Sequence, residues 1–385
     1  MLQKLKEKLR ILKARVKNGN YAYYFWLFPI QQRKIVVSTH YGRGFSDSPK
    51  YIVEELLKQK SLDIVWLVKK GEEANLPEGI RGVRYGTKQA LKELATAKIW
   101  LDNCRQVQSP PKRRGQIYLQ TWHSPMRLKK IEKDAEKKLP ASYIDRAKRD
   151  GKNCDYMLAG STFSKQMYQN AFWFSGEVLP AGTPRCDILL NNRDSIDEKV
   201  RAYFQAGADT KFILYAPTFR KTTDTSIYIR EFSDLRRAAK KRFGGNWKVL
   251  VRLHPNVAYL ANDMVYDEYV LNATAYPDIQ ELLYATDLLI TDYSSCMFDM
   301  AISGKKSMLY TPDLSEYISK ERDLYFKIEE LPFPISKTMS ELVNKVLQFD
   351  EEEYQQELAS FNKEIGLFET GTAAKEVAQK IQTFI

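Results

Sequence analysis

The sequence predicts an α/β protein in which two doubly wound parallel sheets, each in its own domain, face one another across a cleft. Short apolar runs alternate with helical patterns along most of the chain, which is typical of parallel strands joined by crossover helices. The chain has 385 residues, of which 44% are hydrophobic, so it can bury two cores. A stretch rich in glycine, proline and polar residues, GEVLPAGTPRCDILLNNRD from residue 176, divides the alternation in two.

The first part of the chain, residues 1–33, is predicted to be a basic amphipathic and aromatic segment. Apolar residues at helical spacing form one stripe there, namely Leu2, Leu5, Leu9, Leu12 and Val16. The other faces are basic, and the aromatic block YAYYFWLFPI follows from residue 21. This combination is typical of a helix that lies in a membrane interface. A helix packed on the first domain, with its lysines in water, fits the same pattern.

Two ranges are predicted to fold as α/β domains, residues 34–185 and residues 186–385. The strands of the first are KIVVST, DIVWLV, AKIWLDN, GQIYLQTWH and CDYMLAGS, with helices at YIVEELLKQK and TFSKQMYQNAF. The strands of the second are KFILYAPTFR, WKVLVRLHPN, MVYDEYVLN, DLLITDYSS and KSMLYTPD. Its helices lie around Leu235, at DIQELLYA, at SCMFDMAISG and from there to the end of the chain.

The charge balance limits the choice of partner. Lys plus Arg number 60 and Asp plus Glu number 48, which gives a formal net charge of +12. Such an excess indicates a nucleic acid, an anionic membrane or a phosphorylated small molecule as partner, or else a solvated basic surface. The basic residues are scattered and form no recognised nucleic-acid motif, which argues against a nucleic-acid-binding module.

The cysteines and the apolar runs indicate a cytoplasmic protein that is soluble or peripheral to the membrane. The four cysteines, Cys104, Cys154, Cys186 and Cys296, are widely spaced without a CxxC pair, so neither a zinc site nor a disulfide framework is predicted. The N-terminus lacks the pattern of a secretory signal. No apolar run is long enough to span a bilayer.

The chain has three histidines, His40, His123 and His254, and each follows a predicted strand. Open α/β sheets bind ligands beyond the carboxyl ends of their strands. His123 ends the predicted strand GQIYLQTWH and comes shortly before a basic stretch. Imidazole titrates near neutrality, so His123 is a candidate general base; a histidine that caps the strand end is the alternative.

Further candidates lie at strand ends of the second domain. Arg252 and His254, two positions apart, would point to the same side of a strand and suit a diphosphate. After the strand LLIT come Asp292, Ser294 and Ser295, where a helix N-terminus would offer donors to phosphate or the serines would simply cap the helix. Three more candidate phosphate or cleft residues are Thr218 and Arg220 in YAPTFR and Arg185 in GTPRCD. The chain lacks a P-loop and a well-placed G-x-G-x-x-G, which argues against a nucleotide kinase or a dehydrogenase.

Several motifs occur in a specific order over roughly residues 34–330: QTWHSPMRLKKIEKDAE, AGTPRCDIL, YAPTFR, RLHPN, DIQELLYATDLLITDYSSCMFDMA and LYTPDLSEY. This ordered set resembles the CDP-glycerol glycerophosphotransferase family, whose members build teichoic acids and some capsules at the cytoplasmic face of the membrane. The resemblance implies a two-domain GT-B fold with the acceptor side in the first domain and the CDP-donor side in the second. It also implies transfer of a polyol phosphate, with glycerol phosphate as the first expectation, from a CDP-activated donor to a hydroxyl of a lipid-linked acceptor, with release of CMP.

The resemblance assigns roles to particular residues. His123 would be the general base on the acceptor hydroxyl, and His254 with Arg252 would stabilise the leaving CMP. The substrate-binding set is Arg185, Thr218, Arg220, Arg252, Asp292, Ser294 and Ser295. No cofactor and no metal ligand is predicted. The partners would be the CDP-alcohol, the lipid-linked acceptor and an anionic membrane surface, without nucleic acid.

The sequence departs from the family pattern beside the predicted base. The family most often has His-Gly-Thr-Pro-Leu-Lys, whereas this chain has His-Ser-Pro-Met-Arg-Leu-Lys, and Cys186 stands where asparagine is common. The departure leaves the polyol and the acceptor open. Transfer from CDP-ribitol is therefore the first alternative, and a GT-B nucleotide-sugar glycosyltransferase, which would release a nucleoside diphosphate, is the second.

Overall fold

The computed structural model describes residue 6 and residues 27–385, except for 60, 108, 193, 221–227, 229, 321 and 322. The chain divides into two units. The first unit contains Met1–His123, Ile131–Asp187 and Phe368–Ile385, and the second contains Ser124–Lys130 and Ile188–Leu367. The predicted amphipathic helix at the start of residues 1–33 lies outside the described residues, apart from Lys6.

In the described part of the first unit, seven strands form one parallel sheet. The strands are β1 (Gln31–Ser38), β2 (Asp63–Val68), β3 (Ile80–Arg84), β4 (Ala97–Asp102), β5 (Ile117–Gln120), β6 (Tyr156–Leu158) and β7 (Glu177–Leu179). Their order across the sheet is β3-β2-β1-β4-β5-β6-β7. The central strands are continuous apolar runs buried on both faces, as a sheet covered by helices requires.

The described helices of this unit are α1 (Asp47–Leu57), α2 (Lys88–Thr96), α3 (Ala141–Asn153) and α4 (Thr162–Ala171), with 3-10 helices at Glu132–Lys138 and Pro184–Cys186. The short helix α5 (Asp187–Leu190) begins at the end of this part of the unit. Helix α1 buries Ile52 and Leu56 against the sheet core, together with Ile35 of β1 and Trp66 of β2.

Two segments lie in a different unit from the one to which the predicted boundary at 185/186 assigned them. The last helix, α13 (Ala373–Gln382), buries Val377 and Ile381 in the core of the first sheet, and the Asp187 carboxylate accepts hydrogen bonds from its first amides. Segment Ser124–Lys130 belongs to the second unit, where Tyr325 N–H donates to the Leu128 carbonyl at 2.7 Å. An amphipathic pattern states which face of a helix is buried but not which sheet buries it, so the sequence could not place these segments.

The second unit contains six strands among its described residues, again in one parallel sheet. They are β8 (Thr210–Tyr215), β9 (Asn246–Val251), β10 (Val270–Asn272), β11 (Leu288–Thr291), β12 (Lys306–Tyr310) and β13 (Ile335–Ser336). Their order is β10-β9-β8-β11-β12-β13. The described helices are α6 (Asp194–Tyr203), α7 (Ser233–Phe243), α8 (Ile279–Ala285), α9 (Cys296–Ile302), α10 (Leu314–Lys320), α11 (Met339–Leu347) and α12 (Glu351–Glu364), with 3-10 helices at Pro255–Asp263 and Ile328–Glu330.

Both sheets reverse their strand order at one place, between β1 and β4 and between β8 and β11. Such a switch point is where doubly wound folds bind ligands, because the crossover helices diverge to opposite faces there. The prediction of two doubly wound α/β domains is confirmed. Of the predicted strand MVYDEYVLN, only the last three residues form a strand, β10. Strands β3, β7 and β13 were not predicted. No helix among the described residues is long and apolar enough to cross a membrane.

Candidate active site

The turn after β5 places His123. The buried Gln120 side chain, at the end of the strand, donates to the Cys104 carbonyl at 2.8 Å and accepts from the backbone N–H of Trp122 at 3.0 Å. Trp122 has a φ of +54°, a left-handed conformation that is rare for a bulky residue and therefore has to be held by its surroundings. The turn thus fixes the backbone from which the His123 ring projects.

The hydrogen bond of the His123 ring fixes its proton. Nδ1 lies 2.8 Å from the carbonyl oxygen of Asn103, which follows β4. A carbonyl oxygen can only accept, so Nδ1 carries the hydrogen and Nε2 of the neutral ring carries the lone pair. The Cys104 sulfur is 3.9 Å from Nδ1. His123 is therefore held in the tautomer that a general base acting through Nε2 requires.

Aromatic packing supports this ring from behind. The Trp122 and His123 ring centroids are 4.5 Å apart, and Phe172 meets Trp122 edge-on at 4.9 Å. The Arg105 guanidinium lies 4.5 Å from the Phe172 centroid. Arg105 is itself fixed in the interior by Glu132 at 2.9 Å and Asp150 at 3.0 Å. The packing is consistent with a ring that keeps one orientation.

Arg185, predicted to bind substrate, is buried at the same edge of the first sheet. Its Nη1 donates to the His123 carbonyl at 2.8 Å and to Asp47 Oδ2 at 3.2 Å. Burial alone would raise the pKa of Asp47, but Arg185 and a hydrogen bond from His40 outweigh it and hold that pKa well below its usual range. Nη1 of Arg185 is thus bonded to protein groups beside the predicted base, and its contact with substrate stays a prediction.

His254 lies at the carboxyl end of the second sheet with the opposite proton arrangement. It precedes the 3-10 helix Pro255–Asp263, and its Nδ1 accepts the backbone N–H of Asn256 at 3.1 Å. A ring nitrogen that accepts carries no hydrogen, so Nε2 is the protonated nitrogen of a neutral imidazole. The side chain is exposed, and the Phe219 ring lies 5.8 Å away.

Arg252 is placed differently from the sequence-based expectation. Strand β9 ends at Val251, so Arg252 and His254 are beyond the strand and the side-chain alternation of a strand does not apply to them. The Arg252 Nη1 donates to the carbonyls of Ala273 at 3.1 Å and Tyr276 at 2.6 Å. Burial lowers the pKa of this guanidinium. In the second unit Arg252 therefore ties the loop after β9 to the loop after β10.

Thr218, Arg220 and Asp292, all predicted to bind substrate, are bonded to one another. The Asp292 carboxylate accepts from the Thr218 N–H at 2.9 Å, from its hydroxyl at 2.5 Å and from Arg220 Nη2 at 2.8 Å. Arg220 also donates to Asp313 and to the Thr218 carbonyl. Burial opposes its charge, yet Asp292 and Asp313 raise the pKa of Arg220. These contacts join the ends of β8 and β11 at the switch point.

Ser294 and Ser295 lie at the start of α9, as predicted. Both are partly exposed, in contrast to the buried residues on either side of them. Ser295 is the N-cap residue, and its side chain makes no capping hydrogen bond within the described residues. The Ser294 hydroxyl is 3.5 Å from the Cys296 N–H, a weak contact. Contact of either hydroxyl with substrate stays a prediction.

Sequence reasoning missed four residues at the carboxyl edges of the two sheets, namely Asp47, Asn103, Tyr293 and Asp313. It also missed the contact between His40 and Asp47. Asn103 acts through its backbone carbonyl, which no residue type signals. Asp47 stands in the sequence SDSPK at the first position of α1, where an acid is common and does not indicate a functional site. No group of three or more side chains suited to a metal ion occurs among the residues that the structure describes.

Comparison with known proteins identifies relatives along nearly the whole chain. Teichoic acid glycerol-phosphate transferase of Staphylococcus aureus is 29% identical over 388 residues, covering 96% of this chain and 98% of that protein. Teichoic acid poly(glycerol phosphate) polymerase of Staphylococcus epidermidis is 27% identical over 91% of this chain, which spans only 51% of that protein's length. Teichoic acid ribitol-phosphate primase of Bacillus spizizenii is 28% identical, with 93% of each chain covered.

Solved structures agree. The wall teichoic acid polymerase TagF has a TM-score of 0.83 and 25% identity, covering 100% of this chain and 98% of that one. A TagF variant with histidine replaced by asparagine, soaked with CDPG, has a TM-score of 0.83 and 26% identity over the same shares. UDP-GlcNAc 2-epimerase of Neisseria meningitidis, at 12% identity and a TM-score of 0.54 over 91% of this chain and 100% of that one, shares the fold alone. The GT-B-like fold class is confirmed.

The sequence signature of one family matches residues 21–383, which is nearly all of the chain. That family is described as CDP-Glycerol:Poly(glycerophosphate) glycerophosphotransferase, so the resemblance read from the ordered motifs is confirmed. The protein is an enzyme of the transferase class associated with teichoic acid synthesis. The chain belongs to the CDP-glycerol:poly(glycerophosphate) glycerophosphotransferase family.

Proposed function

We propose that this protein transfers glycerol phosphate from CDP-glycerol to a hydroxyl of a lipid-linked teichoic acid or capsule acceptor and releases CMP. The observation that carries the proposal is the tautomer of His123, whose Nδ1 donates to Asn103 and whose Nε2 can therefore accept a proton. Family membership supplies the class of donor. A soak of TagF with CDPG supports CDP-glycerol as the first donor to test.

The step balances without an added reactant. The acceptor hydroxyl gives its proton to His123 Nε2 while its oxygen forms a bond to the β-phosphorus of the donor. The bond between that phosphorus and the bridging oxygen breaks, and CMP leaves with the electron pair. Phosphoryl transfer depends mainly on positioning and on charge stabilisation, so a held base and a few well-placed donors are sufficient protein machinery.

His254 supplies a donor to the leaving group in this proposal. Its Nδ1 accepts from Asn256, so the neutral ring presents Nε2–H. That N–H would donate to the CMP phosphate oxygen on which negative charge grows. The predicted partnership with Arg252 becomes indirect, because Arg252 holds the neighbouring loops through two backbone carbonyls.

The diphosphate would be held at the end of β11. Ser294 and Ser295 offer partly exposed hydroxyls there, and Thr218 lies at the adjacent switch point. In this proposal Asp292 and Arg220 hold the loop that carries Thr218, and Arg185 positions His123. In this proposal the first unit carries the acceptor side and the second unit carries the CDP-donor side.

CDP-ribitol is the second candidate donor. The ribitol-phosphate primase of Bacillus spizizenii is as similar to this chain as several glycerol-phosphate enzymes are. The departure after His123, with Ser124 and Met126 where the family pattern has a shorter segment, is a reason to test it. A nucleotide-sugar donor is the third candidate, favoured only by the fold.

The test is release of CMP with a synthetic lipid-linked acceptor analogue and, in separate reactions, CDP-glycerol, CDP-ribitol and UDP-GlcNAc. We expect CMP from CDP-glycerol and little from CDP-ribitol. CMP from CDP-ribitol alone would move the assignment to a ribitol-phosphate transferase. Formation of UDP from the sugar donor without CMP from either alcohol would replace it by a glycosyltransferase.

Attachment to the cytoplasmic face of the membrane is also proposed, through the basic and aromatic segment at residues 1–33. Interfacial binding of such a segment combines apolar burial with attraction to anionic lipid. Deleting residues 1–19 should reduce the fraction that sediments with vesicles containing anionic phospholipid, and added salt should reduce it for the full chain. Equal sedimentation of both proteins would assign membrane binding to another surface.

A further inference from the structure

The histidine His123 is part of a closed circuit of hydrogen bonds at the carboxyl edge of the first sheet. Each link joins groups from separate segments of the first unit. The links are His123 Nδ1 to Asn103 O at 2.8 Å, His40 N to Asn103 Oδ1 at 2.8 Å, His40 Nε2 to Asp47 Oδ2 at 3.1 Å, Arg185 Nη1 to Asp47 Oδ2 at 3.2 Å, and Arg185 Nη1 to His123 O at 2.8 Å.

Asp47 closes this circuit with one oxygen atom. Its Oδ2 accepts from His40 on one side and from Arg185 on the other, while Oδ1 accepts the Ser48 N–H at 2.6 Å. The Asn103 amide nitrogen also lies 3.1 Å from His40 Nε2, but an ionised carboxylate at the same distance places the proton on that nitrogen. The Asp47 side chain is 5% exposed, so solvent screens these contacts little.

The backbone around the circuit is held in uncommon conformations. His40, Tyr41, Asp47 and Trp122 have φ values of 44°, 60°, 61° and 54°. Non-glycine residues adopt the left-handed region when their surroundings determine it, and such residues gather at functional sites. These backbone dihedral angles, at residues in or next to the circuit, are an observation separate from the hydrogen bonds that form it.

We propose that Asp47 is a positioning residue for the acceptor-side base: through Arg185 and His40 it holds both the backbone carbonyl of His123 and the Asn103 carbonyl that fixes the His123 ring. Asp47 does not touch the reacting atoms. Its effect is on the orientation of Nε2 and, through its negative charge, on how readily the ring takes the acceptor proton. This inference rests on the proposed function, in which His123 is the base.

The test compares Asp47→Asn with the wild type in the CMP-release assay with CDP-glycerol, over a range of pH. Asparagine keeps the shape and one acceptor oxygen, so the fold should be kept. We expect kcat to fall about 10- to 100-fold, the range typical of groups that orient a reacting residue, with the KM for CDP-glycerol within about twofold.

The pH profile separates positioning from general structural damage. Among the described residues of the first unit, the charged and titratable groups near the His123 ring include His40, Asp47, Cys104 and Arg185, and Arg105 lies 5.8 Å from the adjacent Trp122 ring. The base must be neutral, so kcat rises with pH. Removing the Asp47 charge disfavours the protonated ring, and the rising limb should therefore move to lower pH. Damage elsewhere would lower kcat without moving this limb.

Two further variants complete the design. Glu93→Gln is the matched control, because Glu93 and Lys34 form a similarly buried ion pair of 2.7 Å that is not part of the circuit. This variant should lower the melting temperature and leave kcat and the rising limb of the pH profile unchanged. Arg185→Gln removes the next hydrogen-bond partner in the circuit. The double variant with Asp47→Asn should lose no more kcat than the more impaired single variant, because the effects of residues that act together are not additive. Arg185→Gln by itself tests the circuit if Asp47→Asn folds poorly.

The outcomes are distinct from those for the proposed function. Wild-type protein that releases no CMP from any CDP-alcohol contradicts the proposed function itself. Active wild type with Asp47→Asn at full kcat and an unmoved limb overturns the positioning role alone. A loss confined to the KM for the acceptor also overturns it, because Asp47 would then act in binding.

Discussion

The carboxyl edges of the two sheets have the same topology and opposite proton chemistry. At each switch point a hydrogen bond joins the loops after the two adjacent strands. It runs from His40 N–H to Asn103 Oδ1 in the first unit and from Thr218 N–H to Asp292 in the second. His123 at the first edge donates through Nδ1, whereas His254 at the second accepts there. The loop around each histidine thus determines which ring nitrogen carries the proton.

The comparison suggests a division of labour between a base and a donor. His123 is buried on one side by Trp122 and held at both its ring and its carbonyl. His254 is exposed, and its Nδ1 accepts a backbone N–H. Proton abstraction needs an oriented lone pair, while charge stabilisation needs a donor within reach of the leaving oxygen. The position of the ring proton at each histidine agrees with the role proposed for it.

The largest expected effect is that of His123→Ala. The variant removes the only proton acceptor assigned to the acceptor hydroxyl, so kcat for CMP release should fall roughly 10²- to 10⁴-fold. CDP-glycerol binding, measured by calorimetry, should stay near the wild-type value, because the donor is assigned to the second unit. A variant that folds and turns over at the wild-type rate would remove His123 from the mechanism.

His254→Ala should have the next largest effect, a loss of about 10²- to 10³-fold in kcat, as expected for removal of one donor to a developing charge. His254→Asn should retain more activity than His254→Ala, because an amide N–H can replace the Nε2–H. The wild-type profile of kcat against pH should show one rising limb from His123 and no falling limb near neutrality. A bell-shaped profile whose falling limb disappears in His254→Asn would mean that His254 acts as a protonated acid.

Asp292→Asn tests the frame of the second edge. The Asp292 carboxylate accepts from Thr218, Tyr293 and Arg220, and an amide cannot satisfy all of these donors. We expect the free energy of unfolding to fall by about 2–4 kcal/mol, because a buried guanidinium loses one of its two carboxylates. Urea unfolding measures the loss, and the KM for CDP-glycerol should rise. Unchanged stability would mean that Asp313 alone suffices to hold Arg220.

Much of the fold follows from the sequence, while the frames around the site do not. Apolar runs such as DIVWLV are buried strands because a parallel sheet covers both faces, and this pattern placed His123, His254 and Ser294 at strand ends. Arg252 and Arg220 were expected to meet phosphate, and that contact stays a prediction. What the sequence did not indicate is that their guanidinium groups are bonded to carbonyls and carboxylates from distant segments. Residue type states what an arginine can bind, and only tertiary structure states what it does bind.

The smallest expected effect distinguishes the two carboxylate–arginine pairs at acid pH. Arg185 and His40 outweigh the effect of burial on Asp47, and Arg220 does so for Asp313, so both folded-state pKa values lie below their ordinary value. A depressed pKa adds stability above the unfolded-state pKa of about 4, and that stability is lost as pH falls through the folded-state pKa.

The difference in unfolding free energy between wild type and Asp47→Asn should therefore be at least about 1 kcal/mol at pH 7 and shrink below pH 4. Asp313→Asn should show the same trend with a smaller amplitude, because Asp313 is more exposed and its pair is better screened. A difference that stays constant from pH 7 to pH 3 would show that Asp47 acts through its shape and not through its charge.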